Sequence, residues 1–548
     1  MTDKTDQTSS GHININVWMS HQQDYLFPEM SLANPPAKTA ICFSGGGTRA
    51  MSATMGQLRA MTKIGTLKGA GYISCVSGGS WASTIYTYYQ SGAANDEELL
   101  GPITEPAEIT LDHIQHGLTS SQLAYGASKD FWATLKGLLE KSVLGHESGH
   151  RVWIDAVGET FLQPFGLYQK GQPQAIYTLN NDTENDIKSR NKYSSFVNNA
   201  HFIQAHKSRP FLVVNSCIIW PYGLWGEYEA SFEYTPLAVG NPLLQKFEGD
   251  FSSQWVGGGF IENFAYGCSS PGTALRGKGK GEYNVNVTSP QTVFGVNDAT
   301  GTSSAAFSAD AAEFLTKALS PYMNYWPVTP QGNTSSDTQQ DNQYFGDGGS
   351  LDNFGLINMV RRGIKAALVF INTSTVLQPG YTGQSWPTGK PEEVDSDFAK
   401  LFGYEPQEAT YNNKIFTRQD FIDIVSDFQQ ARTNGGPIYS ARHLTVQKND
   451  WWGIQGGQNI YVVFVYLGRC KKWEEQLDPE VAKWMNIGGK GQFDDFPNYK
   501  TVGQNWSGFD FRLVQLTSAQ ITALADLTCW CCQQFLGSPD IIESFKEN

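Results

Sequence analysis

The sequence predicts an α/β fold built around a buried, largely parallel central sheet. Five apolar runs, rich in β-branched residues, have the length of strands. They are Thr39–Phe43, Tyr72–Val76, Phe211–Ile219, Ala366–Ile371 and Tyr461–Leu467. Continuous apolar runs of this kind suit strands covered on both faces, as in parallel sheets. Helices are expected after the glycine-rich loop that follows the first run, after Ser77, and near Ser518–Phe535.

The segments between these elements predict the organisation of the chain. Polar stretches rich in turn residues are expected to be loops: Asn180–Lys192, Gly267–Pro290, Gln331–Gln343 and Gln378–Glu393. Residues 93–207 separate the second run from the third and are a candidate lid or cap insertion. Residues 1–12 are expected to form a disordered tail. Residues 13–548 are expected to form a single domain, since no repeat or long Pro/Ser-rich linker divides them.

Composition restricts which binding partners and which cellular compartment the sequence predicts. The chain has 39 basic and 53 acidic residues and a net charge of −14, which argues against a nucleic-acid partner. Its eight cysteines lack the spacing of a disulfide framework. The N-terminus has no apolar signal core, and no apolar run approaches 18 residues. These observations predict a soluble cytoplasmic protein whose contact with membranes is at most peripheral; they leave its oligomeric state open.

One serine lies where a strand is expected to turn sharply into a helix. Ser77 follows an apolar strand and precedes Gly78 and Gly79. Such a turn lifts the serine hydroxyl into the open, and only small neighbours allow it. The pattern is typical of a nucleophile elbow, although serine-glycine runs also occur in ordinary turns. Ser77 is therefore the candidate nucleophile, and Gly78 the small neighbour that supports its turn.

A glycine loop lies upstream of this serine. The run Ser44–Arg49 contains three consecutive glycines. A backbone without side chains can point several N–H groups at one spot, as an oxyanion hole does. Apolar residues then recur at helical spacing at Met51, Met55, Leu58 and Met61, so the positive end of a helix would face the same anion. A P-loop is disfavoured because no Lys-Ser or Lys-Thr pair follows the glycines, while a plain turn stays open.

A third feature is an aspartate in a glycine-rich turn. Asp347 precedes Gly348 and Gly349. The two glycines would let the carboxylate reach another loop, and a carboxylate within hydrogen-bond distance of Ser77 could act as its general base. Asp-Gly is also common in hairpin turns, so this alternative stays open on local grounds.

In this order, the glycine loop, the serine elbow and the Asp-Gly-Gly turn resemble the patatin-like superfamily. Within it, they are most similar to the catalytic module of cytosolic phospholipase A2 and fungal phospholipase B. The resemblance rests on the matches at Ser44–Met51 and Val76–Trp81, with a further echo at Phe232–Pro236. It implies a three-layer fold in which helices flank a central, mostly parallel sheet.

The resemblance also implies a role for each matched residue. Ser77 would be the nucleophile and Asp347 its only partner, because these enzymes use a Ser/Asp dyad without histidine. Gly46 and Gly47 would supply the N–H groups of the oxyanion hole. Arg49 would hold the phosphate of a phospholipid head group.

Two further positions bear on the resemblance. Asn353 matches the asparagine that follows the family's aspartate, and is expected to help hold that loop. Cys75 departs from the pattern, since it stands where the elbow usually has its first glycine. A thiol is small enough for the turn to survive, with more strain than a glycine would cause.

The implied activity is that of a serine lipid acyl hydrolase of the phospholipase A2 or lysophospholipase type. It would release fatty acid from a phospholipid or lysophospholipid through an acyl-enzyme. No metal and no cofactor are expected. Calcium is not expected either, because the first expected strand begins at Thr39 and leaves little room before it for a calcium-binding targeting domain.

Three alternatives remain open. The fold could carry a catalytically silent lipid-binding or interaction protein. His443 could complete a triad with Ser77 and Asp347, because the three occur in the chain order of α/β-hydrolases. The run His146–His150 matches the zinc-peptidase pattern His-Glu-x-x-His, with His146 and His150 as ligands and Glu147 as base. Its helix would contain a glycine, which weakens it by about 1 kcal/mol.

Overall fold

The computed structural model describes residues 11–21, 24–90, 96–143, 148–220, 228–248, 253–306, 320–328, 341–406, 411–501 and 514–546. The described strands are β1 (His12–Met19), β2 (Thr39–Phe43), β3 (Tyr72–Val76), β4 (Ile176–Thr178), β5 (Phe202–Gln204), β6 (Phe211–Trp220), β7 (Tyr228–Tyr234), β8 (Ala238–Asn241), β9 (Gln245–Glu248), β10 (Ser253–Val256), β11 (Gly259–Glu262), β12 (Gly281–Thr288), β13 (Tyr322–Tyr325), β14 (Asp341–Asp347), β15 (Ala366–Ile371), β16 (Ile438–Thr445) and β17 (Asn459–Tyr466).

The described α-helices are α1 (Gly47–Ile64), α2 (Ser77–Tyr88), α3 (Asp96–Leu100), α4 (Leu111–His116), α5 (Phe131–Val143), α6 (Val152–Val157), α7 (Asn181–Arg190), α8 (Ser195–Asn198), α9 (Val296–Thr302), α10 (Leu356–Arg361), α11 (Ser396–Lys400), α12 (Arg418–Thr433), α13 (Lys471–Glu474), α14 (Pro479–Met485), α15 (Ser518–Phe535) and α16 (Pro539–Ser544). Short 3₁₀ turns lie at Pro28–Ser31, Thr66–Gly69, Pro106–Glu108, Leu123–Ser128, Gly149–Arg151, Gln163–Phe165, Asn263–Ala265, Gly272–Leu275 and Gly348–Ser350, and a π-helical turn at Gly158–Leu162.

The main sheet is mixed and has a parallel centre. Its strand order is β12-β1-β11-β8-β7-β6-β3-β2-β15-β17-β16, and β14 pairs with β6 and β13 beside this path. The five contiguous strands β6, β3, β2, β15 and β17 are parallel to one another, while the strands on both sides of them are antiparallel. These five are the strands that the apolar runs predict, so the α/β class is confirmed.

Helices cover both faces of the parallel centre. Ile41 and Phe43 of β2 face one layer, which contains α1, α2 and α15. Ala40 and Cys42, which alternate with them, face the other layer, which contains α10 and α12. A strand buried on both faces must be apolar at every position, and this is why β2 reads as a continuous apolar run. Helix α15 begins and ends where the sequence predicts. A capping box at Thr517 marks its start.

The described parts of the segment 93–207 form small helices and one short strand pair, and they pack beside α2 and α9. Trp81 of α2 stacks on Phe161, with ring centroids 4.0 Å apart. Trp153 of α6 donates from Nε1 to the carbonyl of Gly301 in α9, at 3.1 Å. The segment therefore shares the core of this layer, next to the helix that follows Ser77.

The structure corrects three of the four predicted loops, each at least in part. Most of Asn180–Lys192 is helix α7, and the loop prediction is wrong there because it equated polarity with a loop. The Asn180 side chain caps the helix, and the pairs Glu184–Lys188 and Asp186–Arg190 support it at i,i+4 spacing. In the second stretch, β12 occupies residues 281–288.

The other two expected loops and the tail have different outcomes. Residues 378–393 contain no helix or strand, as predicted. Residues 331–340 lie outside the described residues, and 341–343 begin β14. Residues 1–10 also lie outside them, and β1 starts at His12. None of the helices in the described ranges has the length and apolar character needed to cross a bilayer.

Candidate active site

Three loops meet at the carboxyl ends of the central parallel strands. The glycine loop follows β2 and the serine elbow follows β3, and these two strands are parallel neighbours. Ligands bind at the carboxyl ends of such strands. Strand β14 ends at Asp347, which pairs with Ser216 of β6 on the other side of β3. Sheet topology therefore brings together Ser77, Asp347 and the three glycines.

Ser77 occupies a strained backbone conformation. Its φ is +50°, in the left-handed region that non-glycine residues seldom adopt. Its N–H donates to the Ser303 hydroxyl at 3.1 Å, and its carbonyl accepts from the Ser80 hydroxyl at 2.6 Å. Only 9% of the residue is exposed. This is the geometry of a sharp strand-to-helix elbow, with strain concentrated at the serine.

Asp347 is buried and faces this serine. The Gly349 N–H donates to Oδ1 at 2.7 Å. Burial raises the pKa of Asp347 to about 6, and the Gly349 N–H and the nearby Ser77 side chain oppose the rise. The carboxyl is therefore mainly ionised at neutral pH, yet is a stronger base than a solvated aspartate.

The glycine loop lies directly against the elbow. Gly46 and Gly47 have φ values of +131° and +54°, which favour glycine. Among the described residues, their N–H groups have no hydrogen-bond acceptor, as is usual at the start of a helix. A methyl group on Gly78 would stand 2.1 Å from the carbonyl oxygen of Gly47. The N-terminal ends of α1 and α2 thus face the same small region.

Arg49 is buried beneath the loop. Its Nε donates to the carbonyl of Asn372 at 2.8 Å, and Nη1 donates to the carbonyl of Tyr499. Nη2 lies 2.6 Å from the position that a Cβ on Gly46 would take. Burial lowers the pKa of Arg49 to about 10, so it remains a cation at neutral pH. The side chain supports the glycine loop and leaves Nη2 as the nitrogen nearest to the candidate oxyanion hole.

Asn353 links the aspartate loop to the glycine loop. Its Oδ1 accepts from the Gly45 N–H at 3.1 Å, and its backbone carbonyl accepts from the same group at 3.0 Å. Its Nδ2 donates to Asp397 at 3.0 Å. Asn353 therefore holds the first glycine of the loop in place from the far side of the site.

Cys75 fits the elbow without distortion at its own position. It pairs in register with Phe43 and Val214, and its side chain is fully buried. Its thiol donates to the carbonyl of Val213 at 3.6 Å, and burial raises its pKa to about 12. The strain expected at this residue is located at Ser77 instead.

His443 lies far from Ser77, which corrects the triad alternative. It pairs with Tyr461 near the start of β17. Through β15, Tyr461 is in register with Thr39, the first residue of β2. Ser77 follows the opposite end of β3. Four strand spacings of about 4.8 Å each separate β16 from β3, in addition to the length of the strand. The imidazole therefore cannot reach the serine.

The zinc-peptidase motif is only partly described. His146 and Glu147 lie outside the described residues. His150 is described: its Nδ1 lies 3.0 Å from the carbonyl oxygen of Ser320, and its ring packs on Tyr322. Within the described ranges, no group of three or more His, Cys, Asp or Glu side chains has the geometry of a metal site.

Sequence reasoning missed the residues that support the dyad from behind. Ser303 accepts from Ser77, and the carbonyl of Ala305 accepts from the Asp347 N–H at 3.3 Å. Both follow α9 and are more than 40 residues from either partner. No local motif marks them, since a Ser-Ser pair after a helix is an ordinary sequence.

Part of the sequence is similar to known phospholipases. No family model matches the chain. A stretch of 138 residues, 25% of this chain, is 33% identical to human cytosolic phospholipase A2 zeta, and 69 residues are 41% identical to the mouse protein of that name. The aligned stretches amount to only 14% and 8% of those relatives.

Two solved structures of human GIVD cytosolic phospholipase A2 also align with the fold. The first aligns with a TM-score of 0.46 at 12% identity, over 95% of this chain and 62% of that one. The second, a complex with methyl gamma-linolenyl fluorophosphonate, aligns with a TM-score of 0.41 at 13% identity, over 93% and 58%.

The parallel-centred sheet, the strained serine and the glycine loop are the arrangement that the resemblance to the patatin-like superfamily implies. Within that class, the sequence match relates the chain to the cytosolic phospholipases A2. The resemblance that the motifs indicate is confirmed at this level.

Proposed function

We propose that the protein is a serine lipid acyl hydrolase that releases fatty acid from glycerophospholipids or lysophospholipids through a Ser77/Asp347 dyad. One observation carries the proposal: a serine strained to a φ of +50° lies beside the buried carboxylate of Asp347 and next to two glycine N–H groups at the start of a helix. Similarity to the cytosolic phospholipases A2 supports a lipid substrate.

Acylation begins when the Ser77 oxygen attacks the acyl carbonyl carbon and its proton passes to Asp347. The negative charge that develops on the carbonyl oxygen faces the N–H groups of Gly46 and Gly47, and each such donor typically contributes roughly 3 kcal/mol. The ester C–O bond then breaks, and Asp347 returns the proton to the leaving alkoxide. The products are an alcohol, such as a lysophospholipid, and acyl-Ser77.

Deacylation uses the same groups with water as the nucleophile. Water gives its proton to Asp347 as it adds to the acyl carbonyl. The second tetrahedral intermediate collapses, the fatty acid leaves, and Ser77 recovers its proton. A base with a pKa of about 6 suits both steps, because it is ionised at neutral pH and still accepts a proton more readily than an ordinary aspartate.

Arg49 and the segment 93–207 have secondary roles in this proposal. Arg49 would bind a head-group phosphate through Nη2, since Nε and Nη1 donate to backbone carbonyls. The segment 93–207 would form the cap within a single catalytic domain that spans residues 13–548. All eight cysteines are free thiols, which supports a cytoplasmic location.

A panel of diacyl phospholipids, lysophospholipids and neutral glycerides, with products identified by mass, tests the proposal. The wild-type protein is expected to release fatty acid from at least one glycerophospholipid or lysophospholipid, and Ser77→Ala from none. His443→Ala is the matched control and should keep most of the wild-type rate. Release from neutral glycerides alone would contradict the phospholipid substrate. No release by folded wild-type protein would favour the catalytically silent alternative.

A further inference from the structure

The segment that follows α9 contacts both members of the proposed dyad. The Ser303 hydroxyl accepts from the N–H of Ser77 at 3.1 Å. Two residues later, the carbonyl of Ala305 accepts from the N–H of Asp347 at 3.3 Å. Both residues of the segment are fully buried. A single short stretch of chain therefore fixes the backbone of the nucleophile relative to that of its base.

The hydrogen bond at Ser303 has a defined direction. The Ser303 hydroxyl has one proton, and it donates this proton to the carbonyl of Asn215 at 2.6 Å. A lone pair of the same oxygen is then left to accept from Ser77. Asn215 pairs with Val76, the residue before the nucleophile, and its neighbour Ser216 pairs with Asp347. Ser303 thus links the elbow to β6, the strand that pairs both with the residue before Ser77 and with Asp347.

This contact acts at the strained residue itself. A serine in the left-handed region persists only where its surroundings hold it. The first N–H groups of a helix have no acceptor within the helix, so the buried N–H of Ser77 depends on a side chain from elsewhere in the chain. Ser303 supplies that acceptor from 226 positions away.

The segment is itself anchored. The indole N–H of Trp153 donates to the carbonyl of Gly301 at 3.1 Å and to the Ser304 hydroxyl at 3.3 Å. A methyl group on Gly301 would meet the backbone of Ile154 at 2.8 Å, so α9 and α6 are in close contact. Ser304 therefore faces the anchor, whereas Ser303 faces the nucleophile.

We infer that Ser303 is a positioning residue, which holds the backbone of Ser77 so that its hydroxyl stays aligned with Asp347. This inference rests on the proposed function. Removing the hydroxyl of Ser303 should lower the rate of the chemical step and leave substrate binding nearly unchanged, because Ser303 contacts the elbow from the protein side. Small displacements of a reacting group can cost about 100-fold in rate.

The test compares Ser303→Ala with Ser304→Ala, which removes an equally buried hydroxyl from the next residue. Thermal unfolding should show a similar, small loss of stability in both variants. Ser303→Ala should react with an alkyl fluorophosphonate about 10- to 100-fold more slowly than wild type. Its kcat on p-nitrophenyl butyrate should fall by a similar factor with KM nearly constant. Ser304→Ala should stay within about threefold of wild type.

Hydrogen exchange of the peptide that contains Ser77 gives a readout independent of activity. One additional amide should exchange rapidly in Ser303→Ala and not in Ser304→Ala, because the Ser77 N–H loses its acceptor. Equal labelling rates and equal exchange in the two variants would overturn the inference while leaving the dyad proposal intact. Wild-type protein that does not react with the probe would instead refute the dyad, and with it the inference.

Discussion

Replacing Asp347 with asparagine is expected to slow acyl transfer by orders of magnitude and to stabilise the fold at neutral pH. Burial raises the pKa of this carboxyl from 3.8 to about 6, so the folded protein holds its proton more tightly than the unfolded chain does. The stability that comes from this proton is fully present below about pH 4 and is lost as the pH rises through 6. Asparagine has nearly the same shape and cannot ionise.

The size of the effect follows from the pKa difference. About two pKa units correspond to roughly 3 kcal/mol, which is the cost of the buried charge at pH 7 or above. The free energy of unfolding of Asp347→Asn, relative to wild type, should therefore increase by about 3 kcal/mol between pH 4 and pH 8. Urea unfolding followed by tryptophan fluorescence at several pH values measures this difference. Ester hydrolysis should fall by about 10²–10⁴-fold.

A surface variant provides the control. Asp450 is 70% exposed and pairs with Lys448, so Asp450→Asn should change stability by less than about 0.5 kcal/mol at every pH. A stability difference between Asp347→Asn and wild type that does not grow with pH would refute the raised pKa of Asp347. A variant less stable than wild type at pH 8 would refute it as well, since the ionised carboxylate would then stabilise the fold.

Three further predictions concern the same site. The rate of ester hydrolysis should rise with pH through about 6, because the base Asp347 must be ionised; a flat pH–rate profile from 5 to 8 would contradict this. Gly78→Ala should destabilise the protein and abolish activity, because its methyl group would overlap the carbonyl of Gly47. Gly137→Ala is its control: a Cβ at this position in α5 would meet open space, so the variant should stabilise the protein by up to about 1 kcal/mol in thermal unfolding. Arg49→Ala should lose about 1–3 kcal/mol of stability and reduce kcat/KM about tenfold more on a phospholipid than on p-nitrophenyl butyrate; equal losses would limit Arg49 to supporting the loop.

The sequence predicts the parallel centre of the fold well because its strands are buried on both faces. Strands β2, β3 and β15 begin and end where their apolar runs do. Strand β1, in contrast, alternates apolar and polar residues over His12–Val17, as an antiparallel strand with one exposed face does. Its alternating pattern was a usable signal that a search for continuous apolar runs passes over. Helix α7 was missed because it is polar and held by its cap and ion pairs.

Some residues of the candidate site can be predicted from short sequence motifs, and others only from the folded structure. Ser77, the glycine loop and Asp347 each lie in a short motif whose backbone demands are visible in the residue types. Ser303 lies in no such motif, because its role depends on a hydrogen bond across 226 positions. The raised pKa of Asp347 also depends on burial, which only the folded chain provides.

Labelling with an alkyl fluorophosphonate, followed by mass analysis of the labelled peptide, tests the nucleophile most directly. We expect one adduct per chain, located on Ser77, and no adduct in a folded Ser77→Ala variant. Labelling that persists in that variant, or an adduct located on another residue, would contradict this expectation.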